Sequence, residues 1–304
     1  MPGLASRRVV RLLGLVLLAS QSVVATSRPI ATWRADELIR DIPARHPEAL
    51  TGSQFAESIS MLDGPQRERA VLRELLAGNL PSFLRRLAPV ELTERTDDGR
   101  PLSTTIFVMP DYLAIGSDAD FLRIPMNLET AIAIAARFSF VLPTRKMVDA
   151  IYTQSAFHFV PAPLTAGPQM RSTDYYRTHN EMIEKQAQIR GIPLGPLVSG
   201  HKKDVVVTNL LARNEGRIAI YGWHRPNGSP IQPLSIVHGA CYADYSHGIR
   251  FVSAMAIEDG VFQSVRDLLQ DSRLANALSD EGAIRPVLVS GRTALGEAHC
   301  GLGS

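Results

Sequence analysis

Cysteine is nearly absent: the 304-residue chain carries two, Cys241 and Cys300. That excludes a disulfide-dense scaffold. In an oxidising compartment an even pair reads first as a single disulfide, which would tie the C-terminal tail to the region around Cys241; the alternative is two free thiols. An excess of charge is missing as well. The full chain has a formal charge of +2, from 32 basic and 30 acidic residues. Three of the arginines, Arg7, Arg8 and Arg11, lie in the first 25 residues with no acid beside them. Without that segment the balance is 29 basic against 30 acidic, so the chain has no electrostatic reason to seek nucleic acid or an anionic membrane. Internal repeats and low-complexity tracts are also lacking, which argues against a solenoid. There is no Gly-x-Ser-x-Gly elbow and no His-Glu-x-x-His helix, two of the common hydrolytic signatures.

What is present begins with an export signal. Arg7, Arg8 and Arg11 form a basic region, Leu12 to Val24 an apolar one, and Val23-Val24-Ala25 a small-residue cleavage site before Thr26. Ser20, Gln21 and Ser22 interrupt the apolar run, which falls short of the ~20 residues of a spanning helix. No stable membrane span is expected after cleavage. Ser6-Arg7-Arg8-Val9-Val10 also resembles the twin-arginine signal, with Val10 where that motif favours Phe, so both export routes stay open.

The 45% apolar content and about 279 remaining residues suffice for one large core or two smaller ones. The reading is α+β: a helical N-terminal segment over 26–88, then a domain over 89–304 in which an antiparallel sheet packs with helices on one side. Helical spacing marks Ala35 to Ile42, Ser53 to Leu62 and Pro65 to Leu76, with Leu72, Leu75 and Leu76 in one stripe. Extended runs at Val90–Arg95 and Thr104–Met109 flank Asp97-Asp98-Gly99 and predict a hairpin. Helices are expected at Leu128–Phe138 behind Asn127, at Arg145–Ser155 behind Thr144, and at Asp174–Arg190 before Gly191. In the last, Tyr175, His179, Met182 and Ile189 share a face, and His179 reads as a core residue. The Pro-rich stretch from Val160 to Pro168 is either a linker or a stiff loop. Strands are expected at Asp204–Leu211, Arg217–Trp223, Ile231–Val237 and Gly248–Ile257, and a helix at Val261–Gln270.

The chemistry gathers in about Ser199 to Arg250. Four of the eight histidines, His201, His224, His238 and His247, fall within 47 residues, where even scatter would place about one. Tyr221-Gly-Trp-His224, Pro230-Ile-Gln-Pro-Leu-Ser235 and Asp244-Tyr-Ser-His-Gly-Ile-Arg250 resemble the core of a family of exported bacterial proteins without an assigned activity. That resemblance covers roughly Leu142 to Gly282 and implies no catalytic role.

Asp244 and His247 stand three residues apart, so in a turn they can converge, with Gly248 free to take a positive φ. The pair suits a general base, His247, oriented by a carboxylate, Asp244. Equally, Asp244 can cap a turn through its own backbone and His247 can bond a neighbour. His201 or His224 would be a second proton-transfer or polarising group. Water ranks first as nucleophile, then Cys241 if unbridged, then Ser246. Zinc is the weaker cofactor alternative, with ligands drawn from His224, His238, Asp244 and His247. Lys202 and Lys203 would bind a substrate carboxylate or oxyanion, or else protect a strand edge. Trp223, Tyr221, Tyr242 and Tyr245 would stack on sugar rings, or else pack under a helix. Arg250 joins the substrate-binding candidates. The expected function is an exported hydrolase cutting an amide, ester or glycosidic bond of an envelope or extracellular polymer; the competitor is a non-catalytic glycan- or peptide-binding module. N-terminal sequencing of exported protein should return Thr26 as the first residue; an intact Met1 would refute the signal peptide.

Overall fold

A computed structural model describes residues 35–95, 99–285 and 300 of the chain. The signal segment and the Asp97-Asp98 turn lie outside the described residues. Short polar side chains start the helices by capping orphan backbone donors. Helix α1 (Gly52–Ser58) opens on a capping box between Thr51 and Gln54, and α2 (Gly64–Leu76) opens on Asp63. The hairpin of β1 (Ala88–Arg95) and β2 (Pro101–Val108) follows as expected, then a second hairpin, β3 (Ala114–Ser117) with β4 (Asp120–Arg123). Helix α3 (Leu128–Phe138) begins where Asn127 Oδ1 accepts the Thr130 N–H at 2.8 Å. After the short β5 (Phe140–Val141), Thr144 caps α4 (Arg145–Gln154), which buries Met147, Val148 and Ile151.

Beyond β6 (Phe157–His158), helix α5 (Thr173–Arg190) stops at Gly191, whose φ of 61° lies in the left-handed region glycine tolerates. Its buried face is Tyr176, His179, Asn180 and Ile183, rotated from the expected stripe. Ile189 is 74% exposed, on the face of α5 opposite this one. In α2 a similar rotation buries Val71 and Leu75 and leaves Leu76 exposed. The segment expected to be helical from Ala35 to Ile42 is a single 3-10 turn, Ala35–Ile39.

The remaining strands are β7 (Val198–Ser199), β8 (Lys203–Val206), β9 (Ala219–His224), β10 (Pro230–Ser235), β11 (His247–Gly248), β12 (Val252–Glu258) and β13 (Val261–Ser264), the last leading into α6 (Val265–Gln270). Among the described residues, β7 pairs in parallel with β6, and the other strands fall into two sheets rather than the single one expected. One runs β1-β2-β12-β13, antiparallel, with β5 also on β12; the other runs β10-β9-β8-β11. The expected fourth strand, Gly248–Ile257, is thereby split. Its first residue, Gly248, pairs with β8 in parallel, and Val252 onward joins the first sheet as β12. The expected strand Asp204–Leu211 ends early because Thr208 caps a 3-10 turn over Asn209–Arg213.

Arg250 stands at the split. Its guanidinium is fully buried, donating to Met109 O at 2.8 Å and Val198 O at 2.7 Å and lying 4.4 Å over the Tyr112 ring. It therefore joins the end of β2, β7 and the chain leaving β11, and is no substrate ligand. Helix α4 packs on both β1 and β9. The Pro-rich stretch is a docked loop: Gln186 exchanges two hydrogen bonds with Val160, and Tyr245 Oη accepts the Leu164 N–H at 2.7 Å. Residues from Ile42 to Ile284 share one hydrophobic core, so the N-terminal helices pack with the sheets.

Cys241 and Cys300 form a disulfide, with Cα atoms 5.1 Å apart. Cys241 is thus unavailable as a nucleophile. Closing a loop of 59 residues constrains the unfolded chain and stabilises the fold by roughly 2–4 kcal/mol. Reduced protein should unfold at correspondingly lower urea concentration than oxidised protein; identical midpoints would refute the contribution.

Candidate functional site

The loop between β10 and β11 carries the cluster. Its N-terminal side is fixed by an Arg217–Gly239 bridge and by the Ile218 N–H donating to His238 O at 3.1 Å. Its C-terminal side closes as a turn in which Asp244 Oδ1 accepts from the Ser246 N–H at 2.8 Å and from Ser246 Oγ at 2.6 Å. The chain then enters β11, where His247 sits beside Lys203 in register, on the same face. This path brings His238, Asp244 and His247 together, with one nitrogen or carboxylate oxygen from each within 4.8 Å of the others.

Of the two expectations for Asp244, the turn cap is met by Oδ1, whereas the orienting hydrogen bond to His247 is not made. Oδ2 accepts from Tyr242 Oη at 3.1 Å and lies 3.9 Å from His247 Nε2, close for electrostatics and too long for a hydrogen bond. His247 is 0% exposed, and neither ring nitrogen has a hydrogen-bond partner among the described residues. Leaving such a group buried and unpaired costs about 1–3 kcal/mol. His247 is therefore part of the packed interior rather than a surface turn residue, and removing its ring leaves a cavity. Burial pushes the His247 imidazole well below its ordinary value, even though Asp244 pulls it up. Burial alone would raise the Asp244 carboxyl, but His247, the Ser246 bonds and Lys203 bring it below the ordinary range. His238 is half-buried, and its ring stacks on Tyr242 at 4.1 Å, with Arg171 5.4 Å over the other partner. At neutral pH the cluster thus offers two uncharged imidazoles and one carboxylate, a donor set suited to proton transfer or to a divalent first-row metal ion.

Gly248 corrects another expectation. It has no positive φ; it is needed because a Cβ there would lie 2.5 Å from the Tyr112 ring. Strain near the cluster sits at Trp223, at φ 55°, a conformation costing a bulky side chain on the order of 1–3 kcal/mol. That kink accompanies a placement of the indole 5.4 Å from Lys203 Nζ.

The other sequence candidates lie elsewhere. His201 is buried against Asp111, at 2.9 Å, with Arg123 completing the group through Asp111 at 2.7 Å and Glu184 at 2.6 Å. Lys202 is buried too, donating to Tyr245 O at 2.6 Å, and burial pushes its ammonium down to about 7. Asp204 accepts from Tyr112 Oη at 2.8 Å. His224 meets Asp149 at 3.0 Å under the stacked Tyr152 ring, beside a shallow cavity of about 510 Å³. That contact pins the end of β9 to α4 and separates His224 from the His238 cluster as a ligand set. Ser246 is committed to Asp244.

The chain matches no family model, no curated protein and no solved structure. The site therefore rests on its own chemistry. A cleft of about 430 Å³ lined by Asp118, Asp120, Arg123, Glu181 and Glu184 contains none of the histidines. Several of its acids have structural duties: Asp120 receives the Ser53 N–H at α1, Asp118 binds Ser82, and Glu184 binds Arg123. Sequence reasoning missed Asp111, Tyr112 and Asp149 as partners, and gave His238 too small a part. The only available signal was its place in the same loop as Asp244 and His247.

His201 supplies a pH test. Burial lowers its imidazole to about 4 from 6.5, with Asp111 pulling the other way. Below 6.5 the unfolded chain takes up a proton that the folded chain refuses, so stability falls with pH and levels off near 4. At about 1.4 kcal/mol per pKa unit the loss is on the order of a few kcal/mol. Urea unfolding at pH 7 and 4.5 should show it, and His201→Gln, which keeps a donor for Asp111, should shrink the difference by the share of His201, leaving that of His247 and His179, which burial also pushes down. Equal slopes for variant and wild type would exclude His201 as the source.

Proposed function

We propose that the chain is an exported hydrolase that cuts an amide, ester or glycosidic bond in an envelope or extracellular polymer, using water as nucleophile at His238, Asp244 and His247. One observation supports it above the rest: His247 is held wholly buried with both ring nitrogens unpartnered among the described residues, beside a carboxylate oxygen and a second imidazole. Native interiors rarely leave such groups unpaired, and sites of proton transfer are where they do.

In this reading His247 is the base. A water between the imidazoles gives it a proton, the water oxygen bonds to the electrophilic carbon, the scissile C–N or C–O bond breaks, and the proton passes to the leaving atom. Asp244 Oδ2, 3.9 Å from the ring, offsets the imidazolium charge as it forms. His238, at the half-exposed edge, takes the second proton-transfer role expected of His201 or His224. The order of basic, apolar and small residues in the first 25 positions and the disulfide both fit an oxidising, extracytoplasmic location. The competing reading, a recognition groove, needs an exposed aromatic strip, and Tyr221, Trp223 and Tyr245 are buried.

His238→Ala tests the site without emptying the core. Because the ring is half-buried on a loop, stability should change by no more than about 0.5 kcal/mol. Turnover on a substrate found in a screen of envelope polymers should fall by about 10²–10⁴. Asp244→Asn retains the oxygen that caps the turn and should lose activity in parallel. Full activity in both folded variants would move the site elsewhere.

A further inference from the structure

We infer that His238, Asp244 and His247 form a binding site for one divalent transition-metal ion, of the open three-ligand type that zinc occupies in hydrolytic centres. The inference deepens the hydrolase reading by naming what activates the water, but its geometry stands without that reading. Three independent features point the same way.

The first is the donor set. Two imidazole nitrogens and one carboxylate oxygen lie within 4.8 Å of one another, and three protein ligands of these types leave a coordination position for water. The second is the unpartnered ring of His247. A histidine with no exposure would ordinarily donate from one nitrogen and accept at the other, and here neither finds a partner among the described residues. An ion on one nitrogen removes that deficit. The third is the support behind the ligands. Ser246 holds Asp244 Oδ1 by two bonds and leaves Oδ2 facing the histidines, while Tyr242 donates to Oδ2 and stacks flat on His238. Ligating carboxylates and imidazoles are commonly fixed by such outer contacts.

Bonds of about 2.1 Å in a tetrahedral shell place ligand atoms about 3.4 Å apart. Binding therefore draws the three groups inward. His247 is locked in β11 beside Lys203 and Asp244 is locked by Ser246, so His238, half-buried at the end of its loop, is the arm that closes. The competing occupant is the Lys203 ammonium, which shares the face of the sheet with His247; it is drawn instead over the Trp223 ring, 5.4 Å away.

The test uses the mature, disulfide-bonded protein, stripped with chelator and dialysed, with Zn²⁺ and Co²⁺ as probes. Calorimetric titration should give one Zn²⁺ per chain, and Co²⁺ should give the visible absorption of a low-coordinate site. His238→Ala and Asp244→Asn, each checked for native melting, should abolish stoichiometric binding. Tyr242→Phe, which removes the outer donor, should weaken binding by about 10–100-fold. No binding by folded wild-type protein, or binding unchanged in His238→Ala and Asp244→Asn, would overturn the metal site and leave the metal-free base intact as the hydrolase reading. Stoichiometric binding without hydrolysis of any polymer would do the reverse, supporting the metal site and removing the hydrolase.

Discussion

A guanidinium that cannot reach water governs this fold. Arg250 has 0% exposure, and an unpaired charge in such a place would cost more than a small domain's whole stability margin. Its partners are spread over separate parts of the chain: the Met109 carbonyl after β2, the Val198 carbonyl of β7, the Tyr112 ring, and the Asp204 carboxylate 3.8 Å away on β8. Satisfying one side chain therefore brings the end of one sheet to the start of the other. The backbone repeats the instruction, since Met109 N donates to Phe251 O and Leu113 N to Ile249 O. Removing one partner from such a group is far more damaging than its gross interaction energy suggests.

The candidate site hangs from this junction. His247 and Arg250 are separated by one turn's worth of chain, and the loop that carries His238 and Asp244 ends where the junction begins. Asp111, Arg123, His201 and Glu184 form a second buried charge network on the adjoining elements. In both networks the central groups are held by hydrogen bonds, Arg250 by two backbone carbonyls and His201 by Asp111. His247 is equally buried, yet among the described residues its ring has no hydrogen-bond partner.

Much of the local structure was legible in the sequence. Asn127 and Thr144 announced α3 and α4, Gly191 announced the end of α5, and the β1-β2 hairpin followed from alternation, because caps and turns depend on a few adjacent residues. The α+β class was readable for the same reason. The division into two sheets was not, since Gly248 to Ile257 has one continuous extended pattern and only tertiary pairing divides it. The histidine cluster could be located but not sorted. His201, His224 and His247 have similar polar and aromatic neighbours in sequence, and their roles are decided by Asp111, Asp149 and Asp244, of which only the last is nearby in the chain. Lys202 and Arg250 read as ligands because cations near a polar loop suit an anionic group; their hydrogen bonds to backbone carbonyls carry no sequence signal.

Gly248 carries a consequence for how this chain can vary over time. The space a side chain would need is already filled by the Tyr112 ring at 2.5 Å and the Lys202 Cβ at 2.9 Å. Tyr112 cannot retreat without releasing its bond to Asp204 and uncovering Arg250. A single methyl group at this position would thus be felt in the charge network before it was felt in the neighbouring histidine. Descendants of this chain can exchange surface residues freely and drift in their loops, while the step from His247 to Arg250 stays closed to substitution by packing alone, whatever chemistry the histidine performs.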